Sequence, residues 1–145
     1  MRAATTVFVD AVVPPPGPFF TTSAPLLTFL DSLPVVDGRL PPWHEWWPAD
    51  LLVELVPDET LRRLITAEIP RLPRTFYDEA VPMPFRWWTR PTAYLQLSPA
   101  YDDERTRAER WLWPTTRLTG SHLDVCVLPN LVADQIIDLI HQSGQ

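Results

Sequence analysis

Proline is what most limits the shapes open to this chain. Eighteen of its residues are proline and only four are glycine. Proline fixes φ and lacks the amide donor that helices and sheet ladders use, so it ends elements rather than extending them. Prolines at 14, 15, 16, 18, 25, 34, 41, 42 and 48 cut the first third into short pieces, which suits ordered, irregular connections between small elements. Seven tryptophans argue that the proline-rich region nevertheless packs against something.

Between the prolines the pattern alternates strand and helix. Val7-Phe8-Val9-Asp10-Ala11-Val12-Val13 is β-branched and nearly all apolar, the pattern of a strand buried on both faces, and Pro14 to Pro18 end it. From Phe19 to Pro84 the spacing predicts an insert of short helices: Ala24 to Ser32, Asp50 to Val56, and Asp58 to Ile69 with Asp58 as N-cap, Leu61, Leu64 and Ile65 at helical spacing, and Pro70 as the stop. A further turn is expected over Thr75 to Ala80. Ala93 to Leu97 reads as a strand, Asp102 to Arg110 as a helix with its carboxylates at the positive end, and Pro114 to Leu118 as a third strand. A last helix follows Asn130, with Val132, Ile136, Ile137 and Ile140 on one apolar face. The order strand, insert, strand, helix, strand, helix describes part of an α/β layered fold.

Length and charge narrow the function. A chain of 145 residues fits one domain and normally buries about two thirds of its unfolded surface. A net charge of −6 without a basic cluster argues against nucleic acid and anionic lipid as partners. All 12 basic residues are arginine, so lysine Schiff-base chemistry is excluded. The one cysteine, Cys126, sits in the apolar run Leu123 to Leu128 and reads as a buried structural thiol. No stretch reaches the roughly 18 apolar residues of a membrane span, and the N-terminal apolar run is too short for a signal sequence. The default expectation is therefore a cytoplasmic protein.

One residue stands out chemically. His122 follows the third strand on a loop with Gly120, which would free the backbone to turn, and open α/β sheets bind ligands beyond the ends of their strands. A general base needs a carboxylate to fix its tautomer, and Asp102 or Asp103 stands at the corresponding end of the preceding strand. Trp43, Trp46 and Trp47 suit either the core of the insert or the wall of an apolar substrate pocket, with Tyr101 as a further candidate contact. His44 and Glu45 could add polar contacts there. His141 receives no role, the three histidines lack metal-site spacing, and no cofactor is expected.

Val7 to Gly17, Ala93 to Asp102 and Arg117 to Leu123 together resemble the C-terminal half of the α/β-hydrolase family, in particular small actinobacterial members. The resemblance covers nearly the whole chain. It implies an α/β fold class: a partial hydrolase-like layer of about three mostly parallel strands and two flanking helices, with residues 19–84 as a helical, Pro/Trp-rich lid. It makes His122 the catalytic histidine and Asp102 the acid, with Asp103 in reserve and Asp10 as an alternative. The departure is equally plain. No serine (23, 32, 98, 121 or 143) has glycine two residues away on either side, so the G-x-S-x-G elbow that holds the family's nucleophile is absent.

A strand apolar on both faces needs cover, and an open sheet edge invites another chain. A homodimer, or a complementing N-terminal-half chain, is the expected partner. Two functions follow. One is a hydrolase-like enzyme without a serine nucleophile, using His122 and Asp102 in general acid-base chemistry (cyclisation, dehydration or hydrolysis) on a hydrophobic polyketide- or acyl-type small molecule. The other is a non-catalytic or complementing half, a binding protein or a truncated remnant.

Overall fold

A computed structural model describes residues 4–143. In chain order the elements are β1 (Thr6–Val9), β2 (Phe19–Phe20), α1 (Ala24–Asp31), α2 (Leu51–Leu55), α3 (Glu59–Glu68), β3 (Val81–Pro82), β4 (Thr92–Gln96), α4 (Asp102–Arg110), β5 (Thr115–Arg117), α5 (Asp124–Val127) and α6 (Pro129–Ser143), with short 3-10 turns between several of them. They divide into two compact units, one made of the residues up to 17 with those from 84 onward, the other of residues 18–83.

The first unit is a three-stranded parallel sheet in the order β1-β4-β5. Thr92-Ala93-Tyr94-Leu95-Gln96 is central and buried at every position, as a strand covered on both faces must be. Alternation sends Ala93 and Leu95 to one face, where with Leu97 they meet Val132, Ile136 and Leu139 of α6 and Val7 and Val9 of β1. Each fully buried leucine there contributes about 1.5–3 kcal/mol. On the other face α4 packs on β4, and Phe8 stacks on Trp113 at 5.8 Å within a cluster that includes Trp87 and Trp111. Tryptophans 87, 111 and 113 thus serve as core.

Two expectations need correction here. The apolar run Val7 to Val13 forms a strand only as far as Val9, because Asp10 turns into the left-handed region at φ 43° and its carboxylate, rather than its carbonyl, takes the next amide of β4. The strand is also an edge, with Val7, Phe8 and Val9 only partly buried. In α6 the buried face is Val132 and Leu139 with Ile136 beside them, whereas Ile137 and Ile140 are exposed.

In the second unit proline sets the boundaries as expected. Asp58 caps α3 by accepting from the Leu61 amide at 2.7 Å, and the helix stops before Pro70. Leu64, expected on its apolar face, is exposed. Trp46 donates its indole N–H to Pro41 O at 2.8 Å and meets Phe29 and Tyr77 edge to face, while Trp47 stacks on Phe29 at 5.2 Å. Asp37 and Gly38, at φ 52° and 73°, make the tight turn that pairs Val36 with Arg39. The unit begins and ends in the two-residue ladder β2-β3, antiparallel, with Phe19 opposite Pro82.

Candidate functional site

Parallel strands end at the same side of a sheet, so the loops after β1, β4 and β5 converge. Each contributes one group. Asp10 follows β1 directly, Ser98 lies two residues beyond β4, and His122 lies in the loop after β5. That loop is drawn back over the end of β4 by Leu118 N–H donating to Gln96 O at 2.8 Å and Gly120 N–H to Leu97 O at 3.0 Å.

His122 Nδ1 lies 2.9 Å from Asp10 Oδ2. Asp10 is 1% exposed. A buried carboxylate is tolerated only when its oxygens are saturated with donors. Asp10 meets that demand: Oδ1 accepts the Leu97 and Ser98 amides at 2.8 and 2.9 Å, and Oδ2 accepts the Ser98 hydroxyl at 2.7 Å beside the imidazole. Because the carboxylate only accepts, the neutral imidazole carries its proton on Nδ1 and keeps the Nε2 lone pair, the tautomer a general base needs. Among the described residues Nε2 has no hydrogen-bond partner, and the side chain is 42% exposed.

Tyr101 covers one face of the imidazole, its ring stacked at 5.3 Å and 15°. Burial, then the negative charges of Asp10 and Glu104, raise the phenol above the ordinary tyrosine range, so it stays protonated around neutrality. Asp124 fixes the loop ahead of His122: its Oδ2 accepts the Ser121 amide at 3.0 Å and its Oδ1 the Ser121 hydroxyl at 2.9 Å. At Gly120 the constraint is space rather than torsion: a Cβ there would lie 1.8 Å from Asp124 Oδ2, so that carboxylate would have to move, and the φ is not in the left-handed region. That corrects the expectation of a flexible hinge.

Asp102 is not the partner of His122. Its Oδ1 accepts from Gln96 Nε2 at 2.7 Å and lies 3.8 Å from Arg117 Nη2, at the head of α4. Gln96 is itself fully buried, donating to Ser98 O at 2.8 Å and accepting from Arg105 Nε at 2.8 Å, so Asp102 belongs to the network that joins β4 to α4. Asp103 is exposed. The carboxylate beside His122 is that of the alternative, Asp10. Its signal was in the sequence: one charge within seven otherwise apolar residues requires a dedicated set of partners. Ser98 carried no such signal.

Tyr101 touches His122. Trp43, Trp46 and Trp47 belong to the 18–83 unit, where Trp43, His44 and Trp47 meet Leu51, Leu52 and Leu55 in a contact with no room for a water molecule. His44 Nδ1 is buried there without a partner. Cys126, expected to be buried, is exposed on α5. The described residues contain no group of three metal-ligating side chains and no helix long and apolar enough to cross a membrane.

Neither serine of the site is offered to Nε2, because Ser98 donates to Asp10 and Ser121 to Asp124. The arrangement is an imidazole paired with a buried carboxylate, with no serine hydroxyl on Nε2 among the described residues. Comparison with known proteins finds no family model, no curated protein and no solved structure that matches the chain.

Proposed function

We propose that the chain is an α/β-hydrolase-like enzyme unit in which His122, oriented by Asp10, does general acid-base chemistry on a hydrophobic acyl- or polyketide-type small molecule. The observation that carries this reading is the buried, fully donor-saturated Asp10 carboxylate set 2.9 Å from an imidazole whose other nitrogen has no partner among the described residues. Burying a carboxylate costs folding free energy, which the Leu97 and Ser98 donors offset; the further contact to a half-exposed histidine supplies a poised base. Proton abstraction by Nε2 from water, or from a hydroxyl or acidic C–H of the substrate itself, suits cyclisation, dehydration or hydrolysis without an acyl-serine step.

A second reading is favoured by the free side of β1. Thr6 and Asp10 donate their amides to Pro91 and Leu95, so the two-residue period turns the Val7 and Val9 amides outward, and this apolar edge carries no charge or proline to block pairing. A second polypeptide could add a strand there and bring a nucleophile to His122.

Turnover of a panel of aryl esters, acyl thioesters and β-keto thioesters tests both. The first reading expects turnover by the purified chain that His122→Ala abolishes, with no labelling by a serine-directed fluorophosphonate. Undiminished turnover in His122→Ala removes the histidine from the mechanism, and labelling of Ser98 or Ser121 contradicts the absence of a serine nucleophile.

A further inference from the structure

The bend that aims Asp10 lies in a disfavoured region of the backbone. A non-glycine residue at φ 43° is disfavoured by contact between its Cβ and the carbonyl oxygen, although aspartate tolerates it better than most. The segment that leaves the bend is anchored further along. The chain offers few handles, because Pro14, Pro15 and Pro16 follow and have no amide hydrogen. Val13 is the last residue before them with both backbone groups available, and it is fully buried.

Both groups of Val13 are taken by α4. The Val13 amide donates to Glu104 Oε2 at 3.0 Å, and Arg107 Nη1 donates to Val13 O at 2.6 Å. The two side chains also pair with each other, Nη1 to Oε2 at 3.1 Å, one helical turn apart. Between the bend and this clamp, Tyr94 donates its hydroxyl to Ala11 O at 2.9 Å. Tyr101, stacked on the imidazole, is the residue at which α4 begins. One helix therefore holds the segment leaving the acid and the ring that covers the base.

We propose that Glu104 and Arg107 are positioning residues for the His122–Asp10 pair: by closing on the amide and carbonyl of Val13 they fix the left-handed bend that brings the Asp10 carboxylate under the imidazole. This rests on the reading of that pair as the working acid and base. Neither residue touches the reacting atoms. Their contribution is to hold Asp10 Oδ1 on the Leu97 and Ser98 amides and Oδ2 on His122.

Amide hydrogen exchange on the full chain separates positioning from plain structural support. Leu97 and Ser98 donate to the Asp10 carboxylate, whereas Leu95, in the same stretch of chain, lies within the sheet. Glu104→Ala is expected to accelerate exchange at Leu97 and Ser98 by about tenfold or more, as loss of a charge-assisted hydrogen bond implies, while leaving Leu95 unchanged. Glu104→Gln keeps an acceptor for the Val13 amide and is expected to restore protection at both positions. Equal acceleration at Leu95, Leu97 and Ser98 would make the clamp a support of the whole sheet and overturn the proposal, as would unchanged exchange in Glu104→Ala. Because exchange does not depend on turnover, a selective loss in a protein that processes no substrate would uphold the clamp and count only against the catalytic reading.

Discussion

Replacing Asp10 should separate two things that its carboxylate does. In Asp10→Ala the Leu97 and Ser98 amides, bonded to Oδ1 at 2.8 and 2.9 Å, are left buried without an acceptor. Each stranded donor costs about 1–3 kcal/mol, and alanine in the left-handed backbone adds on the order of 1 kcal/mol. The total, about 3–7 kcal/mol, is comparable to the whole stability of a small domain, about 5–15 kcal/mol. In Asp10→Asn the carbonyl oxygen can stay on both amides, and the new NH2 meets Ser98 Oγ and His122 Nδ1, so only the charge is lost, about 1–2 kcal/mol. The same substitution forces Nδ1 to accept and moves the histidine's proton to Nε2. Urea unfolding followed by tryptophan fluorescence should thus find Asp10→Asn folded and Asp10→Ala severely destabilised. Equal stability of the two variants would refute the assignment of Asp10 Oδ1 as the acceptor for the end of β4.

Two further outcomes follow from the same geometry. Gly120→Ala should push the Asp124 carboxylate off Ser121 and cost about 1–3 kcal/mol in thermal melts, and much less in an Asp124→Ala background where that contact is already gone; additive losses would contradict the steric account. At alkaline pH, burial raises the phenols of Tyr94 and Tyr101 above the ordinary range, and each then contributes stability that is complete below the unfolded value of about 10 and lost as pH rises towards the folded value. The urea midpoint should therefore fall above about pH 10, less steeply in Tyr94→Phe; a flat profile would rule out their burial.

Local signals made much of the fold legible in the sequence. Asp58 with Pro70, and the acidic run Asp102 to Glu104, bracket helices because capping and termination act within a few residues. The central strand β4 was legible for the same reason, its apolar run having Pro91 and Pro99 on either side. What could not be read depended on distant partners. The β2-β3 ladder contains two residues in each strand, one of them proline, too little for any period to register. Gly120 looked like a hinge because its steric neighbour, Asp124, is recognisable only once the loop is folded.

The site divides in the same way. His122 was recognisable from its position after a short strand. Asp10 was legible only as an alternative, because its pairing with His122 joins residues 112 apart that meet only when β1 and β5 flank β4. Asp102 lay nearer in sequence, but the buried Gln96 at the end of β4 had the stronger claim on it. Cys126, in an apolar run, is exposed because that run forms a single turn of helix with Val125 and Cys126 on its open side.

The central claim is that Asp10, and not Asp102, holds His122 in the tautomer of a base. The ring-nitrogen resonances of His122, read by 15N-labelled NMR in the unaltered chain, in Asp10→Asn and in Asp102→Asn, test it directly. The account predicts a protonated Nδ1 in the unaltered chain and in Asp102→Asn, and a proton moved to Nε2 in Asp10→Asn. A tautomer that changes with Asp102→Asn and is indifferent to Asp10→Asn would contradict it.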